Sequence, residues 1–196
     1  MGKKILITGF EPFGQDTVNA SWEAVSRLED RIDGREVTKL LVPTVFGVAA
    51  EKVLESAREL QPDAILCVGQ AGGRAMVTPE MVAINLRDAS LEDNAGRKPW
   101  DEPAAPGGPA AYFASIPVRK IVDAVKEAGI PCKLSYSAGA YVCNDLFYNL
   151  RHYYEGTGTD VGFIHVPCLS EQGDDKRPGM PLETIVKALS LAVGVL

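Results

Sequence analysis

Histidine is the scarcest reactive residue in this chain: among 196 residues only His152 and His165 occur. There is no HExxH, and two distant imidazoles do not make a zinc site, so no metal is expected and imidazole chemistry has two possible carriers. The four cysteines, Cys67, Cys132, Cys143 and Cys168, lack CxxC spacing. A chain this long needs no disulfide staples, so reduced thiols are expected. Positive charge is in deficit, with 20 Lys and Arg against 26 Asp and Glu. That balance argues against nucleic acid and anionic membrane surfaces as partners, because both require a basic face that releases counterions. No apolar run nears the roughly 18 residues that span a bilayer. The opening MGKKILITGF holds only the short apolar run Ile5 to Ile7 and no small-residue cleavage site. A secretory signal is therefore not expected, and the cytoplasm is the expected compartment.

What is present suits a soluble globular protein. With 46% hydrophobic and 23% charged residues, the chain can bury a sizeable core, and a single domain over 1–196 is expected. Segments 3–9, 36–43, 64–69, 81–86, 132–137 and 161–167 read as strands, being short, apolar and rich in β-branched residues. Segments 20–32, 47–61, 117–129, 142–155 and 181–193 carry helical periodicity, with Asn19 as N-cap, Gly129 as C′ and Pro181 as N1 signals. The order β-α-β-α-β-β-α-β-α-β-α predicts an α/β fold, its mixed, mainly parallel sheet covered by helices on both faces. The region 87–116 contains DNAGRKPWDEPAAPGGPAAY, dense in Pro and Gly and long for a loop in a compact domain. It is a candidate lid or subunit contact.

In such sheets sites form beyond the carboxyl ends of strands, which ranks the cysteines. Cys67 lies inside the apolar run AILCVG and Cys132 opens a strand at the opposite end of the sheet; both read as packing residues. Cys143 follows the strand CKLSYS through the short loop SAGAYV and opens a helix. Unpaired N–H groups and the positive end of the dipole would lower a thiol's pKa there and could receive an oxyanion. Position alone leaves Cys143 open between nucleophile and core thiol. His152 sits nine residues on in the same helix, roughly 13 Å along the axis, too far to pair with it. His165 ends the strand VGFIHVP at the edge where the thiol is expected, and is the partner that geometry leaves. Glu80 precedes an apolar run after the loop GQAGG. It reads either as the acceptor that orients His165 or as a solvated edge-strand carboxylate. The loop itself is neither GxGxxG nor a P-loop, so a nucleotide site is not expected.

Eight segments in order, TGFEPFG (8–14), VNASWEAV (18–25), VPTVF (42–46), VGQAGGR (68–74), TPE-VAIN (78–85), PGGPAAYF (106–113), SAG-YVCN (137–144) and FIHVP-LSEQ (163–172), resemble the pyroglutamyl peptidase I family, also called pyrrolidone-carboxylate peptidases. The resemblance spans essentially the whole chain. It implies a phosphorylase/hydrolase-like three-layer α/β/α sandwich and a cytosolic cysteine omega-peptidase. It also implies a substrate class of N-terminally pyroglutamylated peptides, no cofactor, and a homotetramer. It carries the family's catalytic glutamate, cysteine and histidine onto Glu80, Cys143 and His165. Pyroglutamate is a neutral lactam, so its pocket should have apolar walls and a few amide-directed bonds. Phe10 and Phe13 suit the walls, the resemblance adds Gln70 and Asn19, and Tyr141 is a further wall candidate.

The chain departs from the family at Met81 and Ser90, where arginines are usual; Arg87 or Arg74 is a candidate to replace the lost charge. Cys168 stands where the family has a large apolar residue and reads as packing, with a redox-sensitive thiol or an intersubunit contact as the alternatives. A nucleoside phosphorylase, with GQAGGR on phosphate, and a non-catalytic lactam-binding protein are the competing functions.

Overall fold

The computed structural model describes residues 2–173 and 177–196. The chain runs β1 (Lys4–Phe10), α1 (Ala20–Ser26), β2 (Arg31–Ile32), β3 (Arg35–Val42), α2 (Val48–Leu60), β4 (Ala64–Gln70), β5 (Thr78–Glu80), β6 (Val82–Ile84), β7 (Ala111–Phe113) and α3 (Val118–Glu127). It continues through α4 (Val142–Tyr153), β8 (Asp160–Val166), β9 (Cys168–Leu169), β10 (Gly179–Met180) and α5 (Leu182–Val195). Six strands form the central sheet in the order β2-β3-β1-β4-β8-β5. The four inner strands are parallel, and the short outer strands β2 and β5 run antiparallel to their neighbours. The sheet is thus mixed and mainly parallel, as expected.

Alternation along the buried strands sends successive side chains to opposite faces. Ile5, Ile7, Leu66, Val68, Ile164 and Val166 pack with α1, α3 and α5. Leu6, Phe10, Ile65, Cys67, Val161 and Phe163 pack with α2 and α4. Two cores on one sheet make the three layers. Among the described residues no helix is long and apolar enough to cross a membrane.

The structure corrects several segment boundaries. Residues 132–137 are not a strand of the sheet but an extended edge segment, bridged to Val77 just before β5 through Cys132 and to Glu80 of β5 through Ser135. Lys133 N and Ser135 N donate to Val77 O and Pro79 O, but beyond them Ser135 Oγ bonds the backbone of Ser137, which cuts the ladder short. The segment expected at 81–86 contributes only β6, which pairs with β7 outside the main sheet. Thr78–Glu80, ahead of that segment, is β5. The first helix stops at Ser26, and the chain then turns into the β2–β3 pair, with Asp33 and Gly34 both at positive φ. Asn19 caps α1 by accepting from Ser21 N, and Gly129 closes α3 at φ +77°. Pro181 stands one position earlier than expected, at the N-cap of α5.

The region 87–116 is folded against the body. Arg87 and Glu102 exchange backbone bonds, Asn94 Nδ2 donates to Glu11 Oε1 and Pro12 O at 2.9 Å each, and Phe46 N donates to Asp93 Oδ2 at 3.0 Å.

Candidate active site

The carboxyl ends of β4 and β8 set the geometry. Gly69 stands opposite His165 in the parallel register, and Thr78 of β5 stands opposite His165 on the other side. His165 is buried, with its Nδ1 2.7 Å from Glu80 Oε1. Glu80 is fully buried, so it is no solvated edge carboxylate. The same Oε1 accepts from Arg74 Nη1 at 2.5 Å, and Arg74 also reaches Thr78 Oγ1 at 2.5 Å and Ser137 O at 3.0 Å.

Burial opposes the charge on Glu80, but the bond and charge of His165, with Ser135 and Arg74, outweigh it and hold the carboxyl below its ordinary range. An ionised carboxylate can only accept, so the proton of His165 resides on Nδ1 and Nε2 is the basic nitrogen. Burial lowers the His165 pKa below 6.5; Glu80 works against that and Arg74 adds to it.

Cys143 is the second residue of α4, and the N-cap Tyr141 makes no side-chain bond to the first-turn amides. Its sulfur lies against Gly69, where a Cβ would come within 2.9 Å. The residue keeps partial exposure, yet the sulfur is packed and its pKa differs from the expectation. Burial, then the Glu80 charge and Cys67, push the thiol up to about 12, against smaller opposing effects of Arg74 and its own backbone N–H. Desolvation outweighs the favourable helix terminus here. No hydrogen bond joins Cys143 to His165 in this arrangement.

The start of α4 is clamped from two sides. Asn144 Oδ1 accepts from Ile84 N at 2.9 Å while its Nδ2 donates to Ile84 O and Leu86 O at 2.9 and 3.0 Å. Asp145, fully buried, accepts from Gly47 N at 2.8 Å and from Arg87 Nε at 2.6 Å. Arg87 is thus committed to Asp145 and Arg74 to Glu80, which is where the two candidate replacement cations are spent. Ser90 is exposed.

A small pocket of about 50 Å³ abuts the sulfur, lined by Phe10, Phe13, Asn19, Thr44, Gln70, Tyr141 and Cys143. All five residues singled out from the sequence for a pocket meet here. Tyr141 packs against Phe13 and edge-on to Phe46 at 5.3 Å, and its hydroxyl donates to Glu92 O at 2.9 Å. The two amides are engaged with the protein itself: Gln70 Oε1 accepts from Ala20 N and its Nε2 donates to Asp16. Asn19 Nδ2 donates to Glu11 O while its Oδ1 accepts from Ser21. They fix the wall between β1, α1 and β4. Sequence reasoning missed Thr44 and Asp145. The VPTVF segment held the first in view, and an acidic residue two positions after a helix-opening cysteine was the available signal for the second. Cys67, Cys132 and Cys168 are buried and unbridged, and His152 bonds the Tyr112 hydroxyl at 2.8 Å in the last turn of α4.

Residues 3–196 match the family model for pyroglutamyl peptidase. A pyrrolidone-carboxylate peptidase of Bacillus licheniformis is 48% identical over 196 residues, covering 98% of this chain and 91% of its own. That of Bacillus subtilis is 47% identical with the same coverage. Among solved structures, pyroglutamyl peptidase I from Bacillus amyloliquefaciens aligns with a TM-score of 0.95 at 45% identity, over 100% of this chain and 95% of that one. Pyrrolidone carboxyl peptidase from Thermococcus litoralis aligns with a TM-score of 0.94 at 35% identity, over 98% and 92%. With the fold, the length and nearly half the residues shared end to end, this chain belongs to the pyroglutamyl peptidase family, whose members are cysteine-type hydrolases.

Proposed function

We propose that this protein hydrolyses the amide bond following an N-terminal L-pyroglutamyl residue, using Cys143, His165 and Glu80 and a thioester acyl-enzyme. The observation that carries the reading is the 2.7 Å bond from buried His165 Nδ1 to buried Glu80, at the sheet edge where Cys143 opens α4. That bond leaves Nε2 basic and prepares a carboxylate for the imidazolium that forms.

The resting sulfur is a thiol, so its proton passes to His165 Nε2 as Sγ attacks the pyroglutamyl carbonyl carbon. The oxyanion is received by the unsatisfied amides of the first turn of α4. His165 returns the proton to the departing amine, the C–N bond breaks, and the thioester remains. Water then gives a proton to Nε2 and attacks the thioester, and collapse releases pyroglutamate while the proton returns to sulfur. The lactam ring occupies the pocket walled by Phe10, Phe13 and Tyr141, between Asn19 and Gln70. The pocket measures about 50 Å³ beside the sulfur. A neutral aromatic wall rejects a charged, uncyclised glutamyl terminus, whose desolvation nothing there offsets.

The proposal extends to a cytoplasmic homotetramer acting on peptides. Four unbridged cysteines suit a reducing compartment, and Trp100 and Phe113, exposed at 79% and 68%, offer apolar surface in the 87–116 region. The test is hydrolysis of an L-pyroglutamyl fluorogenic amide under reducing conditions, with Cys143→Ala and a prolyl amide as controls. Release by wild type alone, from the pyroglutamyl substrate alone, is expected; no release from folded protein rejects the reading in favour of a binding protein.

A further inference from the structure

A groove of about 480 Å³ adjoins Glu80 and shares no residue with the pocket at Cys143. Arg74 joins the two regions, since it lines the groove and bonds Glu80. The rest of the groove is the edge segment beyond β5: Lys133, Leu134, Ser135 and Tyr136, the last 65% exposed. Its two charged lining residues, Arg74 and Lys133, are both cations, on a chain with a net charge of −6. Lys133 is exposed and makes no ion pair among the described residues.

The position of the groove gives this charge a use, an argument that rests on the peptidase reading above. His165 must reach the departing amine, so the peptide beyond the scissile bond begins beside the imidazole. From His165 on β8, across Thr78 on β5, to Lys133 on the edge segment is two strand spacings, about 10 Å. Three extended residues cover about that distance. We propose that this groove is the subsite for the leaving peptide, and that it favours a carboxylate about three residues beyond the scissile bond. Such a carboxylate meets the Lys133 ammonium and the outer edge of Arg74, while Tyr136 and Leu134 cover the intervening side chains.

The test compares the amide-capped peptides pGlu-Ala-Ala-Asp, pGlu-Ala-Ala-Asn and pGlu-Ala-Ala-Lys, and pGlu-Ala-Ala-Ala as free acid and as amide. A KM about threefold lower for Asp than for Asn, and higher again for Lys, is expected from an exposed charge contact. The preference should shrink in 0.5 M salt. The free-acid arm distinguishes a terminal carboxylate from a side chain, and a preference in either arm supports the subsite. In Lys133→Glu the ratio of KM between the Lys and Asp peptides, taken within the variant so that any general loss cancels, should invert. Equal KM values across both arms, or an Asp preference that survives Lys133→Glu, would overturn it. The pyroglutamyl coumarylamide, which carries no leaving peptide, separates the two failures. Turnover of that amide without discrimination among peptides removes only the subsite, whereas no turnover removes the peptidase reading beneath it.

Discussion

Gly69 lies against Cys143 so closely that a methyl group on it would sit 2.9 Å from Sγ and 2.8 Å from Cζ of Phe163. Neither neighbour can yield freely, since Phe163 is fully buried and Cys143 is held by its helix. Gly69→Ala should therefore displace the sulfur and, under the proposed mechanism, cost on the order of 100-fold in kcat, as misplacement of about 1 Å does. Overpacking adds about 1–3 kcal/mol of lost stability. Steady-state kinetics and a thermal melt on the same preparation check both; wild-type kcat with a lowered Tm would show that the contact is structural only.

Glu80 and Arg74 pull His165 in opposite directions, which makes the acid limb of the pH profile a signed test. In the proposed mechanism His165 is neutral when it takes the proton from sulfur, and its pKa is lowered from 6.5 mainly by burial. Wild-type kcat/KM should thus fall as pH drops through an inflection below 6.5. Removing the supporting carboxylate in Glu80→Gln should move that inflection lower and reduce kcat by roughly 100-fold or more. Arg74→Ala, by removing a repelling cation, should move it higher. Shifts of the same sign in the two variants would contradict the assignment.

Because burial and the Glu80 charge push the Cys143 thiol up to about 12, its alkylation should track the thiolate fraction. The iodoacetamide rate should rise about tenfold per pH unit from 6 to 9, with no plateau. A pH-independent rate near neutrality would instead reveal a standing thiolate–imidazolium pair.

Arg87 faces a carboxylate that has no access to water, since Asp145 is fully buried. Arg87→Ala strands that charge and should cost about 3–5 kcal/mol in urea unfolding, with KM changing much less. Adding Asp145→Asn should recover part of the loss. A stable Arg87→Ala with a raised KM would return Arg87 to the role of a substrate-facing cation.

The sheet and its helices were legible because β1, β4 and β8 are unbroken apolar runs flanked by periodic segments, a pattern set by burial on both faces. What misled was local. CKLSYS has strand composition, yet it lies at an edge where only two bridges form, and β propensity reflects packing neighbours more than backbone preference. The helix read over 20–32 ends early because the turn at Asp33 and Gly34 reverses the chain. Position along strands brought His165 and Cys143 to one edge, and the cost of an unpaired carboxylate ahead of an apolar run made Glu80 the candidate to orient the imidazole, with a solvated edge residue as the alternative. The tether from Asp145 to Gly47 and Arg87 joins residues far apart in the chain, and no periodicity announces such a contact. The raised thiol pKa was equally out of reach, since desolvation depends on packing density around one sulfur atom.

His165 shares its side of β8 with Val161 and Phe163, both of which fill the core under α2 and α4. A slip of β8 by one residue would turn the imidazole to the opposite face and in the same stroke pull Phe163 out of that core. Correct assembly of the reactive groups and correct packing of one hydrophobic layer are therefore a single event. A one-residue slip therefore forfeits the imidazole's position and the Phe163 packing together. If His165 acts as proposed, recovery of turnover during refolding should count the chains that have reached the native register.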